Sequence, residues 1–240
     1  MIPPSVASHA VRRLSRVLRW VERYPAVALA WAVAGVAVLP WDCAIARVVV
    51  ENPLRGDLRR LVNLSEVFGY GLSAMLIVAT AMVLDRRGWR VGWRLAATTF
   101  GSGLASNLLK TLIARHRPSA ADLSAGVGDT FQGWLPMMTR PGDWGYSLQS
   151  FPSSHTATAV GLAAGLAVLY PRGRFLFLLF AAGAALQRVA SSAHFASDCF
   201  FGAAVAWLVS GFLVQTKTFR GISRARTAEV PSTQFGTDGP

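Results

Sequence analysis

Six apolar stretches dominate the chain, at about 25–41, 67–84, 93–114, 154–170, 174–191 and 197–215, with polar or basic segments between them. Each is roughly 15–22 residues long, close to what a helix rising 1.5 Å per residue needs to cross about 30 Å of hydrocarbon. Glycines punctuate several of them, so their ends are soft. An even number of crossings puts both termini on one side. The pattern predicts an all-α fold, a polytopic membrane helix bundle with six transmembrane helices.

The flanking segments read differently. Arg12, Arg13, Arg16, Arg19 and Arg23 interleave with Val11, Leu14, Val17, Leu18 and Val21, giving residues 1–24 the character of a basic amphipathic helix on an anionic surface. A signal-peptide basic region, with Ala44-Ile45-Ala46 as cleavage site, is the alternative; the basic stretch is long for that role, and a retained first span is preferred. Residues 25–216 form the six-span domain. The polar tail 217–240 is basic, contains Pro and Gly, and reads as disordered. Two connections exceed a tight turn. Segment 42–66 interleaves Leu58, Leu61, Val62 and Leu64 with Arg59 and Arg60, as an interfacial helix would. Segment 119–150 carries Trp134, Met137, Met138, Trp144 and Tyr146 among glycines, which suits a lipid-guiding loop at headgroup level or a packed lid equally well.

Composition sharpens this. Charged residues are only 15% of the chain and hydrophobic ones 52%, whereas soluble domains carry about 25% charged residues. Of the 24 Lys and Arg, 15 lie at 12–23, 86–94, 172–174 and 217–226, the side that holds both termini. The other nine are Arg47, Arg55, Arg59, Arg60, Lys110, Arg115, Arg117, Arg140 and Arg188. The bias orients the bundle with N- and C-termini cytoplasmic in the cell (inner) membrane. Because the arginines flank apolar segments and form no aromatic-interleaved stripe, nucleic acid is not an expected partner. Cys43 and Cys199 lack metal-ligand spacing; both fall near one membrane face, so a disulfide is geometrically open to them, and two unpaired buried thiols is the preferred reading.

Three short clusters then fall at the outer ends of the spans: Lys110 with Arg117-Pro118, Pro152-Ser153-Ser154-His155, and Arg188 with His194 and Asp198. Charged groups at span ends are functional-site candidates. Lys110 and Arg117, seven apart, would share one face if their helix ran that far, with Pro118 marking its end. Ser153 reads as the cap of a helix beginning after Pro152, whose free amides and dipole attract an anion. His194 and Asp198, four apart, would face each other on the sixth helix, the carboxylate holding one ring nitrogen as N–H. Arg188 is six residues before His194, so a turn near Ser191 and Ser192 has to re-aim them. Three fixed cations, two imidazoles and a carboxylate can hold a phosphate, attack it and protonate its leaving group. Singly each motif is ordinary; the ordered set on one face is not.

Written as spacings, K-x6-R-P, P-S-S-H and Q-R-x5-H-x3-D, the clusters resemble the three motifs of the type 2 phosphatidic acid phosphatase and haloperoxidase superfamily, over roughly residues 55–215. Two positions depart from it: Ser154 stands where the family has glycine, and Gln187 where it has serine. The resemblance implies an integral membrane phosphatase, with its active site at the outer membrane–water interface facing the periplasm or outside. It implies His194 as nucleophile forming a phosphohistidine, Asp198 orienting it, and His155 as acid and then base. Lys110, Arg117, Arg188, Ser153 and Ser154 would hold the phosphate, with no metal and no cofactor. The expected partners are the bilayer and a membrane lipid phosphate, a monoester or a pyrophosphate: phosphatidic acid, phosphatidylglycerol phosphate, undecaprenyl pyrophosphate or lipid A phosphate. The competing readings are a vanadate-dependent haloperoxidase, which six spans argue against, and a non-enzymatic lipid-binding protein, which has no need of both histidines and Asp198.

Overall fold

The structure, a computed structural model, describes residues 24–139, 142 and 145–215; the basic segment 1–24 (but for Tyr24), Arg140, Trp144 and the tail 217–240 lie outside them. Helices α1 (Tyr24–Val38) and α2 (Asp42–Glu51) are joined by a single 3-10 turn, and α3 (Gly56–Leu64) follows. Next come α4 (Gly71–Leu84), α5 (Trp89–Lys110), α6 (Ser154–Leu169), α7 (Arg174–Ala190) and α8 (Ala196–Gln215). All six apolar stretches are thus helical in their main part. By length and composition, Tyr24–Glu51, Pro171–Ala190 and Ala196–Val214 can each cross a membrane; Gly56–Phe68 with Gly71–Leu84, bent by 64°, makes a fourth if the pair is one span. Helix α5 is long enough, but its threonines, serines, Asn107 and Arg94 make it too polar, and α6 has only 16 residues, so neither qualifies on length and composition alone.

Helix α6 is the axis of the bundle. Apolar all round, it is buried along nearly its whole length between α5, α7 and α8, as such a helix must be. Small residues bring the backbones together. A Cβ on Gly161 would lie 2.3 Å from the Thr98 carbonyl oxygen, and one on Gly165 would lie 2.5 Å from Thr98 Oγ1. In the opposite sense, a Cβ on Gly103 would meet Thr158 Oγ1 at 2.5 Å. Helix α1 packs on α8, with a Cβ on Gly211 reaching 2.5 Å from Tyr24 Cβ. The outward faces keep Leu29, Val33, Leu76, Leu104, Leu179 and Phe212 exposed, a surface suited to lipid.

The connections hold the departures from the sequence-based expectations. Helix α5 ends at Lys110, and the apolar continuation becomes strand β1 (Ile113–Arg115), paired antiparallel with β2 (Phe131–Trp134). Among the described residues the fold is therefore helical with one small two-stranded sheet, and the described part of segment 119–150 is folded back on the bundle rather than a plain loop. Arg117 consequently does not share a helix face with Lys110. Segment 42–66 contains the helix α3, amphipathic as expected there: Leu58, Leu61 and Leu64 are all exposed, Val62 is buried, and Arg60 Nη1 donates to Asp57 Oδ1 at 3.2 Å. Cys43 and Cys199 are both buried and form no disulfide, and Cys199 Sγ donates to the Ala185 carbonyl at 3.7 Å.

Candidate active site

Three chain breaks at one end of the bundle build the site. The first follows α5. Lys110 Nζ donates to the Gln149 carbonyl at 2.7 Å, and Arg117 Nη2 donates to the same oxygen at 3.2 Å. An extended strand, rather than two helical turns, carries the chain from one cation to the other. Arg117 is held further by Nε to the Tyr146 carbonyl (2.9 Å), Nη1 to the Ala193 carbonyl (2.9 Å) and the Tyr146 ring 3.6 Å from its guanidinium carbon.

The second break starts α6. Ser153 caps it as expected, Oγ accepting from the Thr156 amide at 3.4 Å and from Thr156 Oγ1 at 3.1 Å. Its own amide donates to the Asp198 carbonyl at 3.0 Å, so the Ser153 N–H is not available to a phosphate in this geometry. That corrects the expected donor pair. Ser154 and His155 supply the first-turn amides that lie beyond the intrahelical ladder. His155 is half-buried, its ring centroid 6.4 Å from that of Tyr70. Lys110, Arg117, Arg188 and His194 all lie near enough to act on it electrostatically.

The third break separates α7 from α8. Arg188 is in the last turn of α7, where a cation suits the helix dipole. The required turn is there: Ser192 adopts φ +53°, and the amides of Ala193 and His194 both donate to the Arg188 carbonyl, at 3.1 and 3.2 Å. His194 sits just before α8 rather than on it, and is 2% exposed. Its Nδ1 lies 2.7 Å from the Ser150 carbonyl, while the Asp198 carboxylate is 3.8 Å away. The carbonyl is thus the direct partner and fixes the proton on Nδ1, which leaves the lone pair on Nε2. Burial, opposed in part by Asp198, pushes the His194 pKa down to about 4, so the ring is neutral at physiological pH.

Asp198 is held from several sides. Its Oδ2 accepts from Ser150 Oγ at 2.6 Å and from the Phe195 amide at 2.9 Å; its Oδ1 accepts from Arg115 Nη1 at 2.6 Å. Arg115 is fully buried, and its Nη2 donates to Asp42 Oδ2 at 2.8 Å. Asp42 in turn accepts from the amide of Ser197 at 3.0 Å and from its hydroxyl. The rings of Phe131 and Phe195 flank the Arg115 guanidinium, 4.5 and 4.3 Å from its carbon. Sequence reasoning missed Arg115 and Asp42, and counted Arg115 as an outer-face charge; wholly buried between two carboxylates, it is no surface charge. A signal was present, since Asp42 is one of only 12 acidic residues and falls at a span end.

Among the described residues no cluster of three or more His, Cys, Asp or Glu could hold a metal ion. What the arrangement offers is a neutral, oriented imidazole beside a second imidazole and three cations, at one end of a helical membrane bundle. The chain belongs to the PAP2 superfamily, whose family model matches residues 91–222.

Among known relatives, it is 34% identical over 114 residues to the lipid A 1-phosphatase of Rhizobium etli, covering 48% of this chain and 45% of that protein. It is 31% identical over 158 residues to the lipid A 1-phosphatase of Rhizobium johnstonii, covering 58% of this chain and 61% of that one. The chain therefore spans about half of the length of these relatives. The crystal structure of a transmembrane PAP2-type phosphatidylglycerolphosphate phosphatase from Bacillus subtilis superposes with a TM-score of 0.53. It covers 88% of this chain and 100% of its own at 17% identity, a likeness of fold.

Proposed function

We propose that the protein is an integral membrane phosphatase acting on a lipid phosphate monoester or pyrophosphate, with lipid A 1-phosphate the first substrate to test. The observation that carries this is the buried His194, whose Nδ1 is engaged by the Ser150 carbonyl so that Nε2 keeps its lone pair. Nε2 attacks phosphorus in line, and the bond from phosphorus to the leaving oxygen breaks as His155 delivers a proton to that oxygen. His155 then takes a proton from water, which attacks the phosphohistidine, releases orthophosphate and restores His194. Asp198 steadies the imidazolium character that develops. Lys110, Arg117, Arg188 and the first-turn amides of α6 hold the three equatorial oxygens, and this preorganised charge supplies most of the rate enhancement.

A panel of phosphatidic acid, phosphatidylglycerol phosphate, undecaprenyl pyrophosphate and lipid A, offered to pure protein in detergent, tests the reading. Phosphate release from at least one lipid should persist in excess EDTA and be blocked by vanadate, which adopts the five-coordinate geometry of the transferring group. Loss of activity on chelation, restored by added Mg²⁺ or Zn²⁺, would overturn the mechanism.

The same reading takes all six apolar helices as spans, both termini as cytoplasmic and the site as facing outward, on the strength of the basic-residue bias. A cysteine at the exposed Ser124, in a background lacking Cys43 and Cys199, should react with an impermeant maleimide in spheroplasts. One at the exposed Arg86 should react only after permeabilisation; the position is preferable to Gly88, whose φ of +51° disfavours any side chain. The reverse pattern would invert the topology.

A further inference from the structure

One of the three phosphate-binding cations already holds an anion supplied by the chain itself. Arg188 Nη2 donates to Glu66 Oε1, while Arg188 Nε donates to Gln187 Oε1 at 2.6 Å. Gln187 Nε2 closes the ring by donating to Glu66 Oε2 at 3.3 Å. Nε and Nη2 form an edge of the guanidinium that can take two oxygens of one phosphate. Here that edge is shared by a carboxylate and an amide. Gln187 is also the position where the sequence departs from its family's serine, and its amide bridges the two groups, accepting from Arg188 and donating to Glu66.

Glu66 comes from the 3-10 turn Ser65–Phe68 that follows α3, far from any of the three motifs in sequence. Packing fixes that turn against the site. A Cβ on Gly69 would lie 2.7 Å from the His155 carbonyl oxygen, and one on Gly183 of α7 would lie 2.5 Å from Ser65 Oγ. The Glu66 side chain is about one-third exposed, at 36%, against 10% for Arg188. The carboxylate therefore sits at the mouth of the site and can swing into water, whereas the cation cannot.

We propose that Glu66 is an internal counter-anion: it occupies Arg188 when no phosphate is bound, gives way to the substrate phosphoryl group, and returns to displace the product orthophosphate. This rests on the reading of the site as a phosphatase centre. Its physical content is competition. An anion that must first release Arg188 from Glu66 binds with an affinity reduced by the fraction of molecules in which Arg188 is free. The cost falls alike on substrate and product, and orthophosphate, which has no lipid contacts to offset it, is left the weaker ligand. The site thereby sheds orthophosphate while lipid-borne phosphate, anchored by its tails, still binds.

The test is direct orthophosphate binding to the full-length detergent-solubilised protein by titration calorimetry, in wild type, Glu66→Gln, Glu66→Ala, Arg188→Gln, the Glu66→Gln/Arg188→Gln pair and Arg117→Gln. Glu66→Gln and Glu66→Ala should each bind orthophosphate about tenfold more tightly than wild type. In the Arg188→Gln background Glu66→Gln should give no further gain, because the two residues act through one contact. Tighter binding is a result that mere loss of a structural tie does not give. Affinity unchanged or weakened by both Glu66 substitutions, in protein whose orthophosphate binding is lost on Arg117→Gln, overturns the role of Glu66 and leaves the phosphatase reading intact. Absence of orthophosphate binding in wild type and both Glu66 variants overturns the phosphatase site itself, and this inference with it.

Discussion

His194→Ala is expected to abolish phosphate release, by a factor on the order of 10⁴–10⁶, as removal of the nucleophile from a preorganised acyl- or phosphoryl-transfer site does. Binding should survive, because the three cations and the first turn of α6 remain. His155→Ala should cost less, about 10²–10⁴, the usual contribution of a positioned acid or base. The comparison is made on one lipid substrate by initial phosphate release, with orthophosphate binding as the check on fold. Near wild-type release by His194→Ala would remove the nucleophile assignment. The same residue sets a pH expectation. A free imidazole titrates near 6.5, and burial moves His194 to about 4. The unfolded chain therefore takes up a proton between those values that the folded chain refuses. Its contribution to stability is complete above about pH 6.5 and is lost as pH falls through that window. The nucleophile itself stays neutral across it, so kcat/KM should show no loss near pH 6.5 that tracks His194.

Arg115→Met should be the most destabilising single change in the described structure. Arg115, Asp42 and Asp198 all have fully buried side chains, and one guanidinium bridges both carboxyl groups. Removing the cation leaves two buried acids without their shared counter-charge; breaking a buried pair costs about 3–5 kcal/mol. For a chain of this size that corresponds to a fall in Tm of roughly 10 °C or more. Activity should fall as well, because Asp198 loses the contact that fixes it beside His194. Arg115→Lys should rescue little, since a single ammonium cannot fork between the two acids. The double variant Arg115→Met/Asp42→Asn should recover part of the loss by removing one of the orphaned charges. Thermal unfolding in detergent and phosphate release read both effects. An Arg115→Met protein with wild-type Tm would show that the network carries little of the stability.

The features that could be read from sequence alone are those in which local pattern and tertiary structure agree. The Ser153 cap, the break at Ser191 and Ser192, and the gathering of Lys110, His155, Arg188 and His194 at one end follow from spacing and from the ends of apolar runs. The path from Lys110 to Arg117 was not legible. Thr111, Leu112 and Ile113 continue an apolar run that fits a helix, but pairing of Ile113–Arg115 with Phe131–Trp134 competes for the same backbone groups, and tertiary context decides. Nor could spacing reveal Asp42, Arg115 or Glu66 as partners. Asp42 meets Arg115 across 73 positions, and Glu66 meets Arg188 across 122. No periodicity encodes such pairs; they follow from how α2 meets β1 and how the turn after α3 meets α7. Placing Asp198 as the direct partner of His194 was half right: the helix begins two residues later than the pattern implied, and the Ser150 carbonyl takes the hydrogen bond.

The glycine-to-backbone contacts of α6 have a consequence for how a protein of this build can diversify. With Gly161 and Gly165 pressed on Thr98, and Gly202 of α8 placed so that a Cβ would lie 2.4 Å from the Ser153 carbonyl, a methyl group anywhere along this seam forces helices apart. His155 rides on that seam, and the movement would carry it off the cations it serves. Mutational drift is therefore channelled outward, to α3 and to the exposed stretch after Arg117 between the two strands, where Gly128 meets nothing a Cβ would strike. New headgroups can be recruited by rewriting this collar while the reaction centre is inherited unchanged. Grafts between relatives should keep Asp42 and residues 89–117 and 150–215 together as one cassette, which holds the three cations, both histidines and the Arg115 network, and exchange only what surrounds them.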